Sequence, residues 1–177
     1  MPRGFAKGLL RYACVGAGLQ GEGHIKIIAA LPNTELLAVC DVNEERAKAA
    51  AERYGAARAL ANYEEVLADP TVEAVSIALP DHLHREAAVK ALQAGKHVLL
   101  EKPMATSVTD AQAIYDAQQA SGKTLMVNQS NRWMPSFWST HEMLEAGRFG
   151  DPMYVYARLN NTIYVPTKML SWSANTR

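Results

Sequence analysis

The stretch VGAGLQGEGH, residues 15–24, decides how the first part of this chain folds. Gly16, Gly18 and Gly21 have the spacing G-x-G-x-x-G and directly follow the short apolar run YACV, residues 12–15. After a strand, such glycines permit a tight turn, let a pyrophosphate approach the backbone and let the next helix pack close to the sheet. The stretch therefore predicts a nucleotide-binding turn. A glycine-rich turn without a ligand is the open alternative.

Short apolar runs of the kind that form buried strands alternate with helical segments along the chain. The strand-like runs are residues 12–15, 36–40, 74–79, 97–100 and 124–127. Asn43 and Ser107 are placed to begin helices, and Gly55 and Gly122 are placed to end them. This alternation predicts an α/β fold with a doubly wound parallel sheet, a Rossmann domain over residues 1–130.

The pattern changes in residues 131–177, where we expect the beginning of a second α/β domain. A helical segment runs up to Gly147, and residues 152–160, PMYVYARLN, alternate with period two as an antiparallel strand does. A single strand without a partner is unstable. We therefore expect this second domain to be incomplete.

Composition excludes several classes of partner. The 177 residues carry 18 basic and 18 acidic side chains, so no strong field favours nucleic acid or anionic lipid, and a small molecule or another protein is expected. No apolar run reaches the roughly 20 residues of a membrane helix. Cys14 and Cys40 lie in apolar runs, which predicts buried thiols without a disulfide and favours the cytoplasm. No histidine pair has the spacing of a zinc site, so no metal is expected.

Asp41 ends the second strand-like run, 25 residues after Gly16. An acidic side chain at this place accepts hydrogen bonds from the adenosine ribose and repels a 2′-phosphate, by about 4 kcal/mol at ~4 Å and an effective dielectric constant of ~20. Asp41 therefore favours NAD over NADP. Two alternatives stay open. Enzymes that bind S-adenosylmethionine also have an acidic residue at this point, and an aspartate here is also typical of a cap of the next helix.

The turn Glu101–Lys102–Pro103 follows the fourth strand-like run, at the edge of the sheet where ligands of such folds bind. An ammonium group there can stabilise the oxygen of an alcohol that loses a hydride, or return a proton to a carbonyl. Taken alone, Lys102 is better explained as a solvated loop lysine paired with Glu101 than as a catalytic residue.

Taken together, these motifs resemble one family, the Gfo/Idh/MocA oxidoreductases, which are named for glucose–fructose oxidoreductase and inositol dehydrogenase. The resemblance is carried by the glycine turn, by VCD at residues 39–41, by LPDHLHREAAVKALQAGKHVLLEKP at residues 79–103 and by NQSNRWMP at residues 128–135. It spans roughly residues 9–177, the first half of a typical member. The resemblance implies a nicotinamide-binding Rossmann domain, then a domain whose open sheet carries substrate residues and makes a homo-oligomer.

The resemblance also assigns site residues. Lys102 is implied as the catalytic, substrate-facing lysine, and Arg132 as a substrate residue. An alternative for His84 is a hydrogen-bonding residue at a helix start, and the Lys102–Pro103 peptide bond is expected to be cis. The cofactor-binding residues implied are Gly16, Gly18, Leu19, Gln20, Gly21, Asp41, Leu79, Pro80, His84, Glu101, Pro103 and Asn128.

The function expected from this resemblance is hydride transfer between a nicotinamide cofactor and a secondary alcohol or ketone of a sugar, polyol or similar small metabolite. Members continue beyond a stretch like Ser171–Ser173 into a segment with an acid and a histidine, so this chain is expected to be a cofactor-binding fragment. Two alternatives remain: a nucleotide-binding module without chemistry, and an NAD-dependent glycoside hydrolase of the same family.

Overall fold

The computed structural model describes residues 8–156 and 158. The chain divides into two compact units, with the boundary between Asn128 and Gln129. The first unit holds six strands: β1 Leu10–Val15, β2 Thr34–Cys40, β3 Arg58–Leu60, β4 Ala74–Ile77, β5 His97–Glu101 and β6 Leu125–Asn128. Its helices are α1 Leu19–Ala30, α2 Glu44–Tyr54, α3 Tyr63–Ala68, α4 His84–Gln93 and α5 Val108–Ser121, with a 3₁₀ turn at Asp81–Leu83.

The strands form one parallel sheet in the order β3-β2-β1-β4-β5-β6. The order reverses between β1 and β4, and in open sheets of this kind the crevice at the carboxyl ends of such strands takes the ligand. The predicted doubly wound Rossmann fold is confirmed. The carboxyl end of β1 leads into Gly16, and the carboxyl end of β4 leads into Leu79.

Each face of the sheet has its own apolar core. On one face, Ile25 and Ile28 of α1 and three alanines of α2 pack over Cys14 and Val39. On the other face, Leu92 of α4 and Ile114 of α5 pack over a second set of strand residues that includes Cys40. The two cysteines thus face opposite layers and are buried free thiols, as predicted. Burial raises the pKa of Cys14 to about 12 and, with the charge of Asp41, that of Cys40 to about 11.

The helix ends follow the expected capping chemistry. Asn43 accepts a hydrogen bond from the backbone N–H of Arg46 at the start of α2, and Ser107 accepts one from Asp110 at the start of α5. Gly55 and Gly122 end these helices in the left-handed conformation. Local sequence signals therefore place the helices that cover the sheet.

The structure contains one strand that the sequence does not predict, and it contradicts one predicted strand. Strand β3 carries no predictive signal, because its three residues begin with exposed Arg58 and form no apolar run. Residues 152–160 were predicted to form a strand, but residues 152–156 and 158 contain none. A strand needs a partner for its ladder of hydrogen bonds, and the described part of the second unit offers none. Residues 157, 159 and 160 of that prediction lie outside the described residues.

The second unit, in its described part, contains a 3₁₀ turn at Ser130–Trp133 and α6 at Pro135–Glu145. Pro135 occupies the first turn of α6, where its missing N–H costs nothing. The rings of Trp133 and Trp138 stack with centroids 5.6 Å apart. The assignment of residues 131–177 to the start of a substrate and oligomerisation domain stays a prediction.

The close approach of Gly21 to Gly16 gives a first testable prediction. A Cβ atom at Gly21 would lie 1.8 Å from the carbonyl oxygen of Gly16, so Gly21→Ala should lower the free energy of unfolding by roughly 1–3 kcal/mol. Gly23, in the same helix, has nothing within 4 Å, so Gly23→Ala should instead raise it by about 0.5–1 kcal/mol. Urea denaturation of both variants measures the difference, and equal stabilities would contradict the packing described.

Candidate functional site

The glycine turn lies between the carboxyl end of β1 and the start of α1, beside the residues that follow β4. Gly16 has a φ of 91°, and a Cβ there would lie 2.3 Å from the carbonyl oxygen of Ala78. Gly21 is required by the contact with Gly16 described above. Packing within the protein therefore explains two of the three glycines.

Gly18 differs from the other two, because nothing lies within 4 Å of the Cβ it lacks and its φ of −73° suits any residue. Gly18 is also the N-cap of α1, and no side chain caps this helix end. The first N–H groups of a helix have no partners inside it, and with the helix dipole they favour an anion. The open space and the uncapped helix end fit a pyrophosphate. The exposed residues Leu19 and Gln20 form the first turn beside it.

Asp41 is hydrogen-bonded to the glycine turn and lies beside it. Its Oδ2 accepts a hydrogen bond of 2.8 Å from the backbone N–H of Ala17, and its Oδ1 accepts one of 2.9 Å from that of Asn43. Because Asn43 caps α2, Asp41 is not the cap of that helix. A carboxylate offers about four acceptor positions, so two remain for the exposed guanidinium of Arg46 and for a ribose hydroxyl.

Arg46 is a neighbour of Asp41 that the sequence analysis did not identify. Its Nη1 lies 3.3 Å from Asp41 Oδ2, and half of its side chain is exposed. The spacing of Asp41 and Arg46 across the start of α2 was the available signal, since a side chain in the first turn points back toward the N-terminus of its helix. The rim of the site thus carries both a carboxylate and a guanidinium.

A buried polar cluster joins four elements of the first unit below the Glu101–Pro103 turn. His24 Nε2 lies 2.9 Å from Glu101 Oε1, and His24 Nδ1 lies 2.6 Å from Ser76 Oγ. Asn128 Nδ2 donates a hydrogen bond of 2.6 Å to the same oxygen of Glu101. Glu101 and Asn128 were predicted from the sequence as site residues, whereas His24 and Ser76 were not. His24 shares the buried face of α1 with Gly21, Ile25 and Ile28, which was the signal that could have placed it against the sheet.

The turn that follows β5 is held by this cluster. Glu101 Oε2 accepts a hydrogen bond of 3.0 Å from the backbone N–H of Lys102. Burial raises the pKa of Glu101, but the hydrogen bonds that its carboxylate accepts from His24, Asn128 and the Lys102 N–H outweigh burial and leave the pKa below its usual value. Glu101 is therefore a carboxylate. The Lys102–Pro103 bond is cis, as expected, and Lys102 is exposed.

His84 is fully buried at the start of α4 and links the loop after β4 to the turn after β5. Its Nδ1 lies 2.7 Å from the carbonyl oxygen of Pro103, and its Nε2 lies 2.9 Å from that of Leu79. The ring has no exposed surface for a ligand, so it supports the wall of the cleft, whereas Leu79, Pro80 and Pro103 keep accessible surface. This placement corresponds to the alternative of a hydrogen-bonding residue at a helix start.

The remaining observations concern the predicted substrate residue Arg132, metal ligands and membrane-spanning helices. Arg132 is exposed in the 3₁₀ turn of the second unit, which is described by itself. Over residues 8–156 and 158, no group of three or more His, Cys, Asp or Glu side chains is arranged to hold a metal ion. Within the same residues, no helix combines the length and apolarity needed to cross a membrane.

Comparison with known proteins agrees with this fold. A family model described as "Oxidoreductase family, NAD-binding Rossmann fold" matches residues 10–129. Inositol 2-dehydrogenase of Salmonella typhimurium is 32% identical over 160 residues, which are 89% of this chain and 48% of that protein. This chain thus spans about half the length of the curated relatives it matches.

Two solved structures have the same fold as this chain. Levoglucosan dehydrogenase in complex with NADH is 31% identical, with a TM-score of 0.76 over 80% of this chain and 40% of that chain. A mutant of a 3-ketoreductase from Actinomadura kijaniata in complex with TDP-benzene and NADP is 30% identical, with a TM-score of 0.74 over 81% of this chain and 46% of that chain. Similar structures thus hold either form of the nicotinamide cofactor.

Proposed function

Since this chain belongs to the Gfo/Idh/MocA family of oxidoreductases, we propose that it holds NAD at the glycine turn. We propose further that the whole protein transfers a hydride between the nicotinamide and a secondary alcohol or ketone of a sugar, polyol or similar small metabolite. The observation that carries the proposal is the open space at Gly18, a glycine that internal packing does not require, in front of an uncapped helix. The chain itself is proposed to be the cofactor-binding part of that protein.

Each part of the cofactor is assigned to a part of the cleft. The N–H groups of residues 18–21 would hold the pyrophosphate, and Asp41 would accept hydrogen bonds from the adenosine ribose. Leu79 and Pro80 would border the adenosine side. Glu101, Pro103 and Asn128 would shape the nicotinamide side. The supporting observation is that these residues all follow the carboxyl ends of β1, β2, β4, β5 and β6 or lie within one residue of them.

Lys102 is proposed as the catalytic residue. When bound, the nicotinamide accepts or gives the hydride. As the neutral amine, Lys102 Nζ would take the hydroxyl proton while the alcohol becomes a ketone, and as the ammonium it would give that proton to the carbonyl oxygen in the reverse direction. Two observations support this role. Lys102 is exposed, and its backbone N–H donates a hydrogen bond to buried Glu101, which fixes the backbone at the start of the turn. Arg132 is proposed as a substrate residue from the resemblance alone.

The preference for NAD over NADP rests on the charge of Asp41. A carboxylate about 4 Å from a 2′-phosphate costs roughly 4 kcal/mol at an effective dielectric constant of ~20, and solvent reduces this figure. Arg46 offsets part of that repulsion, because its guanidinium lies beside Asp41 and is half exposed. We propose that repulsion of the 2′-phosphate by Asp41 outweighs its attraction by Arg46. Asp41 is buried and fixed by two backbone N–H groups, while the half-exposed Arg46 has more freedom to move.

The cofactor preference can be tested with Asp41→Asn, which removes the charge and keeps an acceptor oxygen. The wild-type chain should bind NADH more tightly than NADPH, and the ratio of the two dissociation constants should fall by about tenfold or more in the variant, because the repulsion is lost. Titration with each cofactor, followed by nicotinamide fluorescence, measures the ratio. Asp116→Asn, an exposed change on α5, is the control, and an unchanged ratio in Asp41→Asn would refute the assignment.

The catalytic assignment predicts a separation of binding from turnover. In the whole protein, Lys102→Met should lower kcat by about 10²–10⁴-fold, because proton transfer is lost, while the dissociation constant for NADH stays within about threefold. Lys26→Met, on the exposed face of α1, is the matched control. Turnover with a panel of polyols and sugars is followed through NADH formation.

Several results of that assay would tell against the proposal. Undiminished turnover in Lys102→Met would remove Lys102 from the mechanism. Cofactor binding without turnover on any alcohol would favour a binding module, and cleavage of glycosides without accumulation of NADH would favour a glycoside hydrolase.

A further inference from the structure

His24 occupies a position between the two ends of the proposed cofactor cleft. It lies on α1, six residues after Gly18, which is about 9 Å along the helix. Its ring reaches Ser76 on β4 through Nδ1 and Glu101 at the end of β5 through Nε2. The helix that begins at the glycine turn is therefore connected by one side chain to the residue that precedes Lys102.

The protons in this cluster can be assigned from its partners. Glu101 is a carboxylate and only accepts, so the contact of 2.9 Å requires a proton on His24 Nε2. Asn128 Nδ2, which also lies 3.2 Å from that nitrogen, then donates to Glu101 Oε1 and not to His24. With one proton on the ring, at Nε2, Nδ1 accepts a hydrogen bond from the hydroxyl group of Ser76. This tautomer gives both ring nitrogens of His24 and both carboxylate oxygens of Glu101 a hydrogen-bond partner.

The cluster contains a serine, a histidine and a glutamate, but its geometry does not suit nucleophilic catalysis. Ser76 is 1% exposed within β4, and its hydroxyl group is engaged by His24. A nucleophile needs a substrate carbonyl within reach of its oxygen. The arrangement is that of a buried support, in which a fully satisfied network holds its members in one geometry.

Glu101 transmits this support to the turn. Its Oε1 receives the hydrogen bonds from His24 and Asn128, and its Oε2 receives the one from the backbone N–H of Lys102. The carboxylate is thus held on one side by the scaffold and on the other side holds the turn. Loss of the His24 bond would leave Glu101 with fewer fixed donors and more freedom to rotate.

We propose that His24 is a positioning residue, which through Glu101 fixes the Glu101–Pro103 turn relative to the helix that begins at Gly18. The effect of His24 on catalysis, which is to orient Lys102 through this turn, rests on the proposed function. The physical link between His24 and the Lys102 backbone stands apart from that function and can be measured without cofactor.

Two amide substitutions separate the two hydrogen bonds of His24. The side-chain nitrogen of Gln can occupy the position of Nε2, so His24→Gln keeps a donor for Glu101. The shorter Asn reaches only the position of Nδ1, so His24→Asn keeps the contact with Ser76 and loses Glu101. Both are neutral and polar, and a thermal melt of each verifies that the chain is folded.

In the chain without cofactor, His24→Asn should raise the pKa of Glu101, because a hydrogen bond to its charged form is lost. It should also speed hydrogen exchange of the Lys102 amide by about tenfold or more, because the turn is less firmly held. His24→Gln should leave both values close to wild type. Carboxyl carbon NMR during a pH titration and amide exchange measure the two quantities.

In the whole protein, His24→Asn should lower kcat by about tenfold or more while the dissociation constant for NADH changes less than about threefold, and His24→Gln should restore kcat. If folded His24→Asn keeps the wild-type pKa of Glu101 and the wild-type exchange rate of the Lys102 amide, the proposal is overturned. Equal losses in both variants would also overturn it, since they would mean that only the shape of the imidazole matters. If the wild-type protein binds no NADH while the Glu101 and Lys102 measurements behave as expected, the proposed function fails and the positioning role of His24 stands.

Discussion

The contact between the backbones of Gly16 and Gly21 is the constraint on which the rest of the site depends. Only a helix that starts without a side chain at residue 21 can begin directly over the end of β1, because any Cβ there would overlap the Gly16 carbonyl. This contact aims the N-terminus of α1 at the carboxyl edge of the sheet, and it places His24 one helical turn later against β4 and β5. The order of the strands then brings the residues after β1, β2, β4, β5 and β6 to that same edge.

Charge is distributed unevenly along this edge, and the distribution follows from the backbone. At one end the carboxylate of Asp41 accepts hydrogen bonds from the N–H groups of residues 17 and 43 and pairs with the half-exposed Arg46. In the middle, the uncapped start of α1 is positive by its dipole. At the other end, Glu101 is buried among three donors, so that the exposed Lys102 is the charged group left beside the cleft. A ligand with an anionic centre and hydroxyl groups at one side matches this order.

The sequence predicted those features that depend on local chemistry. The glycine spacing, the caps at Asn43 and Ser107 and the apolar runs of the long strands are properties of neighbouring residues, and they placed the sheet and its helices correctly. Two features were beyond such reasoning, because each depends on residues distant in the chain. Strand β3 is defined by pairing with β2, and the His24 cluster joins residues up to 104 positions apart. For His84 the helix start indicated a hydrogen-bonding role, but its partners Leu79 and Pro103 became evident only in the fold. The predicted strand at residues 152–160 also shows that a strand depends on a distant partner. Its alternating pattern has no partner strand among the described residues, and residues 152–156 and 158 form no strand.

The central claim is that a nicotinamide dinucleotide lies across the glycine turn, with its pyrophosphate at the start of α1. Titration of the ¹⁵N-labelled chain with NADH, followed through backbone amide shifts, tests it most directly. The account predicts large, saturable shifts for the amides of residues 16–21 and 41 and for those of residues 79 and 101–103, with little change along α5. Unchanged amides at the glycine turn of a folded chain, or saturable shifts confined to another surface, would contradict it.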